Sequence, residues 1–327
     1  MGFFDLHRSI FICCLLVLLG WSHRLRAQQD PMFTKYFFHT LLYNPAYAGA
    51  GEQLQLRLVF REQWLGLPEG PQTFGAQVHT PTRNDRVGLG LQLLEDRIGN
   101  NGFTAIRFSY AYRIRFGDTR LSIGLQAGLE NWRTETAGLT LQSPADAAFL
   151  EAENSWWLPN FGIGTYLESE RWYVGLSLPN LLEWELGAAN TDQLLYRRDR
   201  HWYATAGLVI PIDYQWILKP SVLYKSVLPG SSLGAGTQVF PGVAVPDEIE
   251  IDVSVCWKET IWWGLSLRTA VLALVGQGSS FDSFDAWMAY QWDPGFRIGL
   301  AFDYPLTPLN NFTFGSLEAM MGYDLSL

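Results

Sequence analysis

The feature that most constrains the fold is an alternation of apolar and polar residues over runs of about ten residues. In segment 53–61, Leu54, Leu56, Leu58 and Phe60 alternate with glutamine and arginine. The same alternation recurs in segments 104–115, 121–130 and 297–304. Because successive side chains of a β-strand point to opposite faces, each segment predicts a strand with one apolar and one polar face. Strands of about ten residues are long enough for a tilted membrane crossing, whereas strands of soluble sandwiches are usually shorter.

The connections between the predicted strands differ systematically in length. We predict about 14 strands, over residues 52–62, 72–81, 86–95, 103–115, 119–130, 159–168, 171–180, 201–211, 214–226, 247–257, 260–268, 284–292, 295–304 and 316–327. Connections after even-numbered strands are short, and those after odd-numbered strands are mostly long. This arrangement is typical of outer-membrane barrels, whose short turns face the periplasm. The sequence therefore predicts an all-β fold, a transmembrane antiparallel β-barrel whose last strand closes on the first so that no strand edge meets lipid.

Residues 1–27 have the features of a secretory signal peptide. Arg8 gives a positive start, residues 10–19 form an apolar stretch too short to span a membrane, and Ala27 ends a plausible cleavage site. We expect three parts: a signal peptide (1–27), an N-terminal periplasmic segment (28–50) and the barrel (51–327). Cys256 would then be the only cysteine of the mature chain, which excludes an internal disulfide.

The N-terminal segment has a pattern of its own. Asp30 and Pro31 suit the start of a helix. Residues that recur at helical spacing follow: Phe33, Tyr36, Phe37, Thr40 and Leu41. Asn44 and Pro45 would end the helix, because the residue before proline is pushed out of the α region. We expect a short amphipathic helix that packs against the lumen as a plug, or at the periplasmic rim as a docking arm. An ordinary capping helix is the simpler alternative.

Arginines are prominent on the predicted polar face of the strands. They are Arg57, Arg61, Arg107, Arg113, Arg115 and Arg297. In a barrel this face lines the lumen, so these arginines, with Trp64, Asp303 and Glu318, are our candidates for a luminal or partner-binding surface. Either the arginines pair with luminal carboxylates such as Glu130 and Asp303, or an arginine-rich wall holds a polypeptide by bidentate contacts.

No pattern in the sequence points clearly to catalysis or metal binding. Residues 230–234 match G-x-S-x-G, but they lie in a predicted loop and no histidine follows His201. His39, His79 and His201 are widely spaced, which argues against a metal site. A hydrolase on the barrel wall is an alternative, but no cluster of histidine, serine and carboxylate is visible at one strand level. We therefore expect no enzyme activity and no cofactor. The net charge of −9 argues against nucleic acid as a partner.

Several motifs resemble those of the PorP/SprF family, membrane proteins of the type IX secretion system. The opening motif residues are Gln29, Asp30, Pro31, Phe33, Tyr36, Asn44, Pro45, Tyr47 and Gly49. Later stretches that agree are 61–64, 70–73, 303–304 and 315–318. One departure is Leu317, where the family pattern would have histidine.

The resemblance implies a non-enzymatic role in type IX secretion, in the outer membrane of a Gram-negative, Bacteroidota-like bacterium and often alongside gliding motility. It implies as partners the translocon, its periplasmic ring or peptidoglycan-linked lipoproteins, and a secreted client with a C-terminal sorting domain. The residues alone leave a general porin or solute channel open as the alternative. The two differ in the lumen, because a channel needs an open path whereas a secretion partner should be plugged or occupied.

Overall fold

The computed structural model describes residues 32–51, 53–135, 153–187, 194–198, 200–227, 247–271, 281–292 and 295–325. The predicted signal peptide, the motif residues Gln29, Asp30 and Pro31, and the segment 230–234 lie outside these described residues. Among the described helices, none has the length and apolar character needed to cross a bilayer.

The described residues form a closed, antiparallel 14-strand barrel. Its strands are β1 Leu54–Glu62, β2 Gln72–Pro81, β3 Val87–Ile98, β4 Asn101–Phe116, β5 Thr119–Glu135, β6 Glu153–Glu168, β7 Trp172–Leu178, β8 His201–Leu208, β9 Trp216–Val227, β10 Glu248–Trp257, β11 Ile261–Ala270, β12 Phe281–Trp292, β13 Phe296–Pro305 and β14 Ser316–Leu325. Each strand pairs with the next, and β14 pairs with β1 from Leu325 opposite Leu54 to Leu317 opposite Glu62. The predicted barrel and its closure are confirmed.

The two ends of the barrel differ as the connection lengths predicted. The start of β1, the end of β14 and connections such as 117–118 lie at one end, which we call the short-turn end. The opposite, long-loop end includes the connection 179–200, in which Trp184–Gly187 pairs with Leu194–Arg198 as a separate hairpin. A two-residue stretch, Ile210–Pro211, pairs with β9 at the short-turn end.

The sequence alternation corresponds to the two faces of the wall. On β1, Leu56 and Phe60 are exposed on the outer face, whereas Arg57 and Arg61 are buried in the lumen. β4 repeats this, with exposed Ile106, Phe108, Tyr110 and Tyr112 between buried Arg107, Ser109, Ala111 and Arg113. An apolar exterior around a polar interior inverts the arrangement of a soluble protein and suits a barrel surrounded by lipid.

Several strands extend further toward the long-loop end than the pattern predicted. The expected loop 96–102 is a turn at 99–100 between β3 and β4, and Gly99 has a φ of 55°. The expected long loop 131–158 is partly paired, because β5 continues to Glu135 and β6 begins at Glu153. Trp132 and Trp156 therefore face each other across paired strands instead of lying in a loop. The extension includes polar residues on both faces, so apolar–polar alternation could not reveal it.

The lumen contains residues 32–50, which we call the plug. Instead of one continuous helix, the plug has three short helical turns, Tyr36–Phe38, Thr40–Tyr43 and Pro45–Tyr47. Most of its side chains are buried; Tyr36 is 1% exposed and Leu41 is fully buried. Plug residues pack with wall residues in one hydrophobic cluster that includes Phe33, Phe38, Leu42, Val59, Phe103, Tyr203 and Trp287.

Candidate functional site

The turn that begins at Asn44 fastens the plug to the wall at the short-turn end. The Asn44 Nδ2 donates to the carbonyls of Thr165 in β6 (3.0 Å) and Leu176 in β7 (3.5 Å). Its Oδ1 accepts the Ala46 N–H (3.0 Å), which shapes the turn. One asparagine side chain therefore both sets the local backbone conformation and bridges two strands of the wall.

Glycines of the wall make room for this turn. A Cβ on Gly124 would lie within 3.0 Å of the Ala46 backbone, and a Cβ on Gly88 would equally overlap the Ala48 carbonyl. We call the set Gly88, Gly124, Gly164 and Gly175 the glycine cradle; the last two face the Asn44 side chain. Gly49 has a φ of 69° and comes so near Gly88 that a Cβ would be 2.5 Å from the Gly88 Cα, so only glycine fits.

Wall side chains also bind the backbone of the plug. The donors and their carbonyl acceptors are Gln77 to Phe38 (3.4 Å), Gln92 to Leu41 (2.9 Å) and Ser177 to Tyr43 (2.8 Å). Helical turns of three or four residues leave most of their carbonyls open and are not stable alone. The lumen supplies the missing donors and so stabilises them. Burial, with a smaller effect of Arg57, lowers the pKa of His39 in the plug to about 3, so its imidazole is neutral.

Thr34 and Lys35 enter a strongly charged region nearer the long-loop end. Both Glu318 oxygens accept plug amides, from Thr34 (2.5 Å) and from Lys35 (3.2 Å). Arg61 donates to Asp303 (2.8 Å) and to the Thr34 hydroxyl, and lies 3.5 Å from Glu318. The candidate residues Arg61, Asp303 and Glu318 are thus brought together around the plug backbone.

The Lys35 ammonium lies in a pocket of carboxylates. Its Nζ is 3.8 Å from Glu250, 3.7 Å from Asp252 and 3.5 Å from Asp285, and it donates to Ser266. The wall cation Arg268 bridges this pocket to Asp303, at 3.4 Å. We call the whole set the luminal ion network: Lys35, Arg61, Arg268, Glu250, Asp252, Asp285, Asp303 and Glu318. Lys35 is fully buried. Its removal would leave Arg268 as the cation paired with Glu250 and Asp285, with three buried carboxylates nearby.

Three of the other predicted arginines lie away from the luminal ion network. Arg107 binds Glu130 (2.7 Å) on the neighbouring strand. Arg113 and Arg115 are each 3.6 Å from Asp85 in the turn between β2 and β3, and the Arg115 side chain is 62% exposed. These side chains belong to the wall and to the short-turn rim, and in the described part of the chain they form no ion pair with the luminal ion network.

Trp64 lies outside the lumen. It is in the first long loop, after β1, with a left-handed φ of 57°, and its N–H donates to the Ser316 hydroxyl (3.3 Å). This bond joins the loop to the start of β14, so Trp64 stabilises the seam at the long-loop end.

Several residues of the luminal ion network were not among the sequence candidates: Lys35, Glu250, Asp252, Arg268 and Asp285. A signal for some of them is present in β10, where Glu248, Glu250 and Asp252 alternate with isoleucines. Carboxylates on the luminal face of one strand require cations opposite, and the plug supplies Lys35.

Below the plug, a cavity of about 310 Å³ lies at the short-turn end. Phe37, Phe38 and Tyr47 of the plug line it from above. The wall contributes three cations, Arg57, Lys219 and Arg297, and two carboxylates, Glu168 and Asp324. Among the described residues, no group of three or more histidines, cysteines and carboxylates is placed to hold a metal ion.

Solved structures with a similar fold include hydrocarbon channels and transporters, all at low sequence identity. CymD, a monoaromatic hydrocarbon channel, aligns with a TM-score of 0.55 at 12% identity, over 88% of this chain and 92% of that chain. The toluene transporter TbuX of Ralstonia pickettii aligns with 0.51 at 11% identity, over 88% and 92%. The toluene transporter TodX of Pseudomonas putida aligns with 0.50 at 10% identity, over 91% and 95%. At these identities the likeness shows the fold alone.

The sequence itself assigns the family. No curated protein matches it significantly. Residues 25–323, nearly the whole chain, match the family described as type IX secretion system membrane protein PorP/SprF. The match spans the plug, the glycine cradle and the luminal ion network. Together with the family match, the barrel fold of the protein supports a location in the outer membrane. The chain therefore belongs to the PorP/SprF family of type IX secretion system membrane proteins.

Proposed function

We propose that the protein is a non-enzymatic outer-membrane component that supports the export, or the cell-surface attachment, of partner proteins with a cognate C-terminal domain. The observation that carries this proposal is the plug. Residues 32–50 fill the lumen and are bonded to the wall both at Asn44 and at Lys35. A solute channel requires a water-filled path, whereas this lumen is occupied by buried aromatic residues and ion pairs.

On the basis of family membership, we propose a location in the outer membrane of a Gram-negative, Bacteroidota-like bacterium. We also propose a role alongside gliding motility. We propose the translocon, its periplasmic ring or peptidoglycan-linked lipoproteins and a secreted client as partners, with outer-membrane lipid around the barrel. The short-turn end of such a barrel faces the periplasm. The cavity under the plug is then on the side of the periplasmic partners, and the long loops are on the side of the cell surface.

A general solute channel is the alternative. It would need the plug to leave the lumen, which requires breaking the ion pairs of Lys35 and the bonds of Asn44. The similarity to hydrocarbon channels does not favour it, because at this identity the similarity extends only to the fold.

Deletion of residues 30–40 tests the proposal. The barrel strands all lie outside this deletion, so the variant should assemble. We expect it to conduct ions in planar bilayers and to lose secretion of a reporter with a C-terminal sorting domain. The control is Phe312→Ala, a change at an exposed residue in the long loop before β14.

Two outcomes decide against the proposal. An assembled deletion variant that stays closed and secretes normally would mean that the plug is dispensable. The channel would be favoured if the wild-type protein conducts solutes and a strain that lacks the protein still secretes normally.

A further inference from the structure

The carboxylates of the cavity below the plug already have partners. Asp324 forms an ion pair with Arg57 at 2.5 Å, and Glu168 forms one with Arg120 at 3.6 Å. Arg57 is also held by the carbonyls of Leu56 and Tyr323. Three of the charged groups that line the cavity therefore already form ion pairs within the wall: Arg57, Asp324 and Glu168.

The other two lining cations, Lys219 and Arg297, have no carboxylate oxygen within 4.0 Å among the described residues. The Lys219 ammonium lies 4.7 Å from the centre of the Trp262 ring. The Arg297 guanidinium lies 5.7 Å from the Phe38 ring and 6.0 Å from the Trp262 ring, and donates one bond to Gln291 (2.6 Å). The buried Nε of Arg297 has no hydrogen-bond partner in the described part of the chain.

Two cations over one tryptophan ring are an unbalanced arrangement. Cation–π contacts recover part of the lost hydration of such groups, but they do not neutralise the charge. An anion that enters the cavity would pair with both cations and satisfy the open Arg297 donor. The planar guanidinium suits a carboxylate in particular, because its fork matches two carboxylate oxygens.

We propose that this cavity binds a carboxylate of a polypeptide, either a C-terminus or an Asp or Glu side chain, presented from the periplasm. The cavity can hold a few residues, and its aromatic lining suits the apolar parts of a peptide. Its cations point into the lumen, away from the lipid-facing surface. The roof is the plug, so a bound segment touches Phe38 and Tyr47 and contacts the element that closes the barrel.

The inference rests on the proposed function only in placing a protein partner on the periplasmic side. It can be measured with the purified, full-length protein in detergent, where no secretion is needed. The probe is a fluorescein-labelled peptide of Gly-Ser repeats that ends in Asp-Glu-Asp with a free carboxylate. A second peptide, with Asn-Gln-Asn and a C-terminal amide, has the same size without the charge.

We expect the acidic peptide to bind wild-type protein and the amide peptide not to bind. The double variant Lys219→Gln with Arg297→Gln should bind about tenfold more weakly or worse, since both charge-assisted contacts are lost. The single variant Arg297→Lys keeps both positive charges and should bind the acidic peptide more tightly than the double variant does. Arg115→Gln removes one positive charge at an exposed rim position and should leave binding unchanged.

Equal binding of the acidic peptide to wild type and to a folded double variant would overturn the inference, as would equal binding of the amide peptide. If inorganic phosphate at equimolar concentration displaces the peptide, the cavity binds a free anion and the inference of a polypeptide site is wrong. Neither result changes the outcome expected for the plug-deletion experiment. The carboxylate site and the proposed secretion function can therefore fail separately.

Discussion

Gly124 is the position where the smallest possible substitution should dislodge the plug. It lies on β5 with its luminal face against the turn of the plug, and an added Cβ would overlap the backbone of Pro45 and Ala46. Backbone cannot swing aside as a flexible side chain can. In Gly124→Ala the turn must therefore move away from the wall.

The size of the effect follows from the contacts. Restoring a carbon–carbon separation of about 3.5 Å requires a displacement of about 1 Å. Such a shift stretches the 3.0 Å bond from Asn44 to Thr165 beyond bonding distance, and Gly164 and Gly175 leave Asn44 no room to adjust. Overpacking costs about 1–3 kcal/mol, and a lost hydrogen bond adds about 1 kcal/mol. A total of about 2–4 kcal/mol shifts the release equilibrium of the plug by about 30- to 1,000-fold.

Trypsin reports plug release directly. Lys35 is the only lysine or arginine in residues 32–50, and it is fully buried. Cleavage after Lys35 therefore requires the plug to leave the lumen, and under fast opening its rate follows the population of the released state. Mass spectrometry of the new N-terminus at Tyr36 gives this rate.

The control for the strand itself is Leu125→Ala, at the neighbouring residue on the lipid-facing side, where Leu125 is 55% exposed. It should leave cleavage after Lys35 at the wild-type rate. A folded Gly124→Ala barrel that is cleaved no faster than wild type would refute the argument that the cradle glycines hold the plug.

Three further predictions concern charge, lipid contact and closure. Lys35→Met leaves the carboxylates of Glu250 and its neighbours without their plug cation, at a cost of about 3–5 kcal/mol, and should produce an ion conductance that Lys35→Arg does not; a closed Lys35→Met protein would contradict the role of the ion network. Leu125→Arg places a charge in lipid and should destabilise the barrel by about 2–4 kcal/mol, read from heat-modified gels, whereas Leu125→Phe should be tolerated; equal stability of both would argue that Leu125 does not face lipid. Deletion of residues 322–327 removes the end of β14 that pairs with β1 and should abolish outer-membrane protein, and wild-type levels of the truncated chain there would disprove the seam.

The barrel was predictable because lipid and lumen impose opposite demands on alternate residues. Phe60 and Arg61 are neighbours in sequence and lie on opposite faces. The same period recurs in β3, β4, β10 and β12. Closure of the last strand on the first was predictable from the absence of water to satisfy an open edge within the bilayer. Strand ends were less accurate, because the polar residues near Asn131 pair in a ladder that no apolar pattern marks.

The path of the plug could not be read from the sequence. Its helical spacing suggested one helix, but its conformation depends on wall groups such as Gln92 and Ser177 that are distant in the chain. The glycine at position 124 appears in an alternating strand as one more small residue on the polar face. Only the folded barrel shows that it faces Ala46. Lys35 likewise has no distinguishing sequence pattern, because its carboxylate partners lie on strands that are distant in the chain.

The ion network has a consequence for the order in which the chain folds. The bond from Lys35 to Glu318 spans 283 positions in sequence, and the other carboxylates around Lys35 lie on β10 and β12. Contacts between such distant residues form late, because a long stretch of chain must be ordered before they can be made. The segment synthesised near the beginning therefore reaches its native position only after the last strands have been inserted. A chain that stalls before β14 lacks the Glu318 bonds to the amides of Thr34 and Lys35. The full set of plug contacts therefore forms only in a barrel whose assembly is complete.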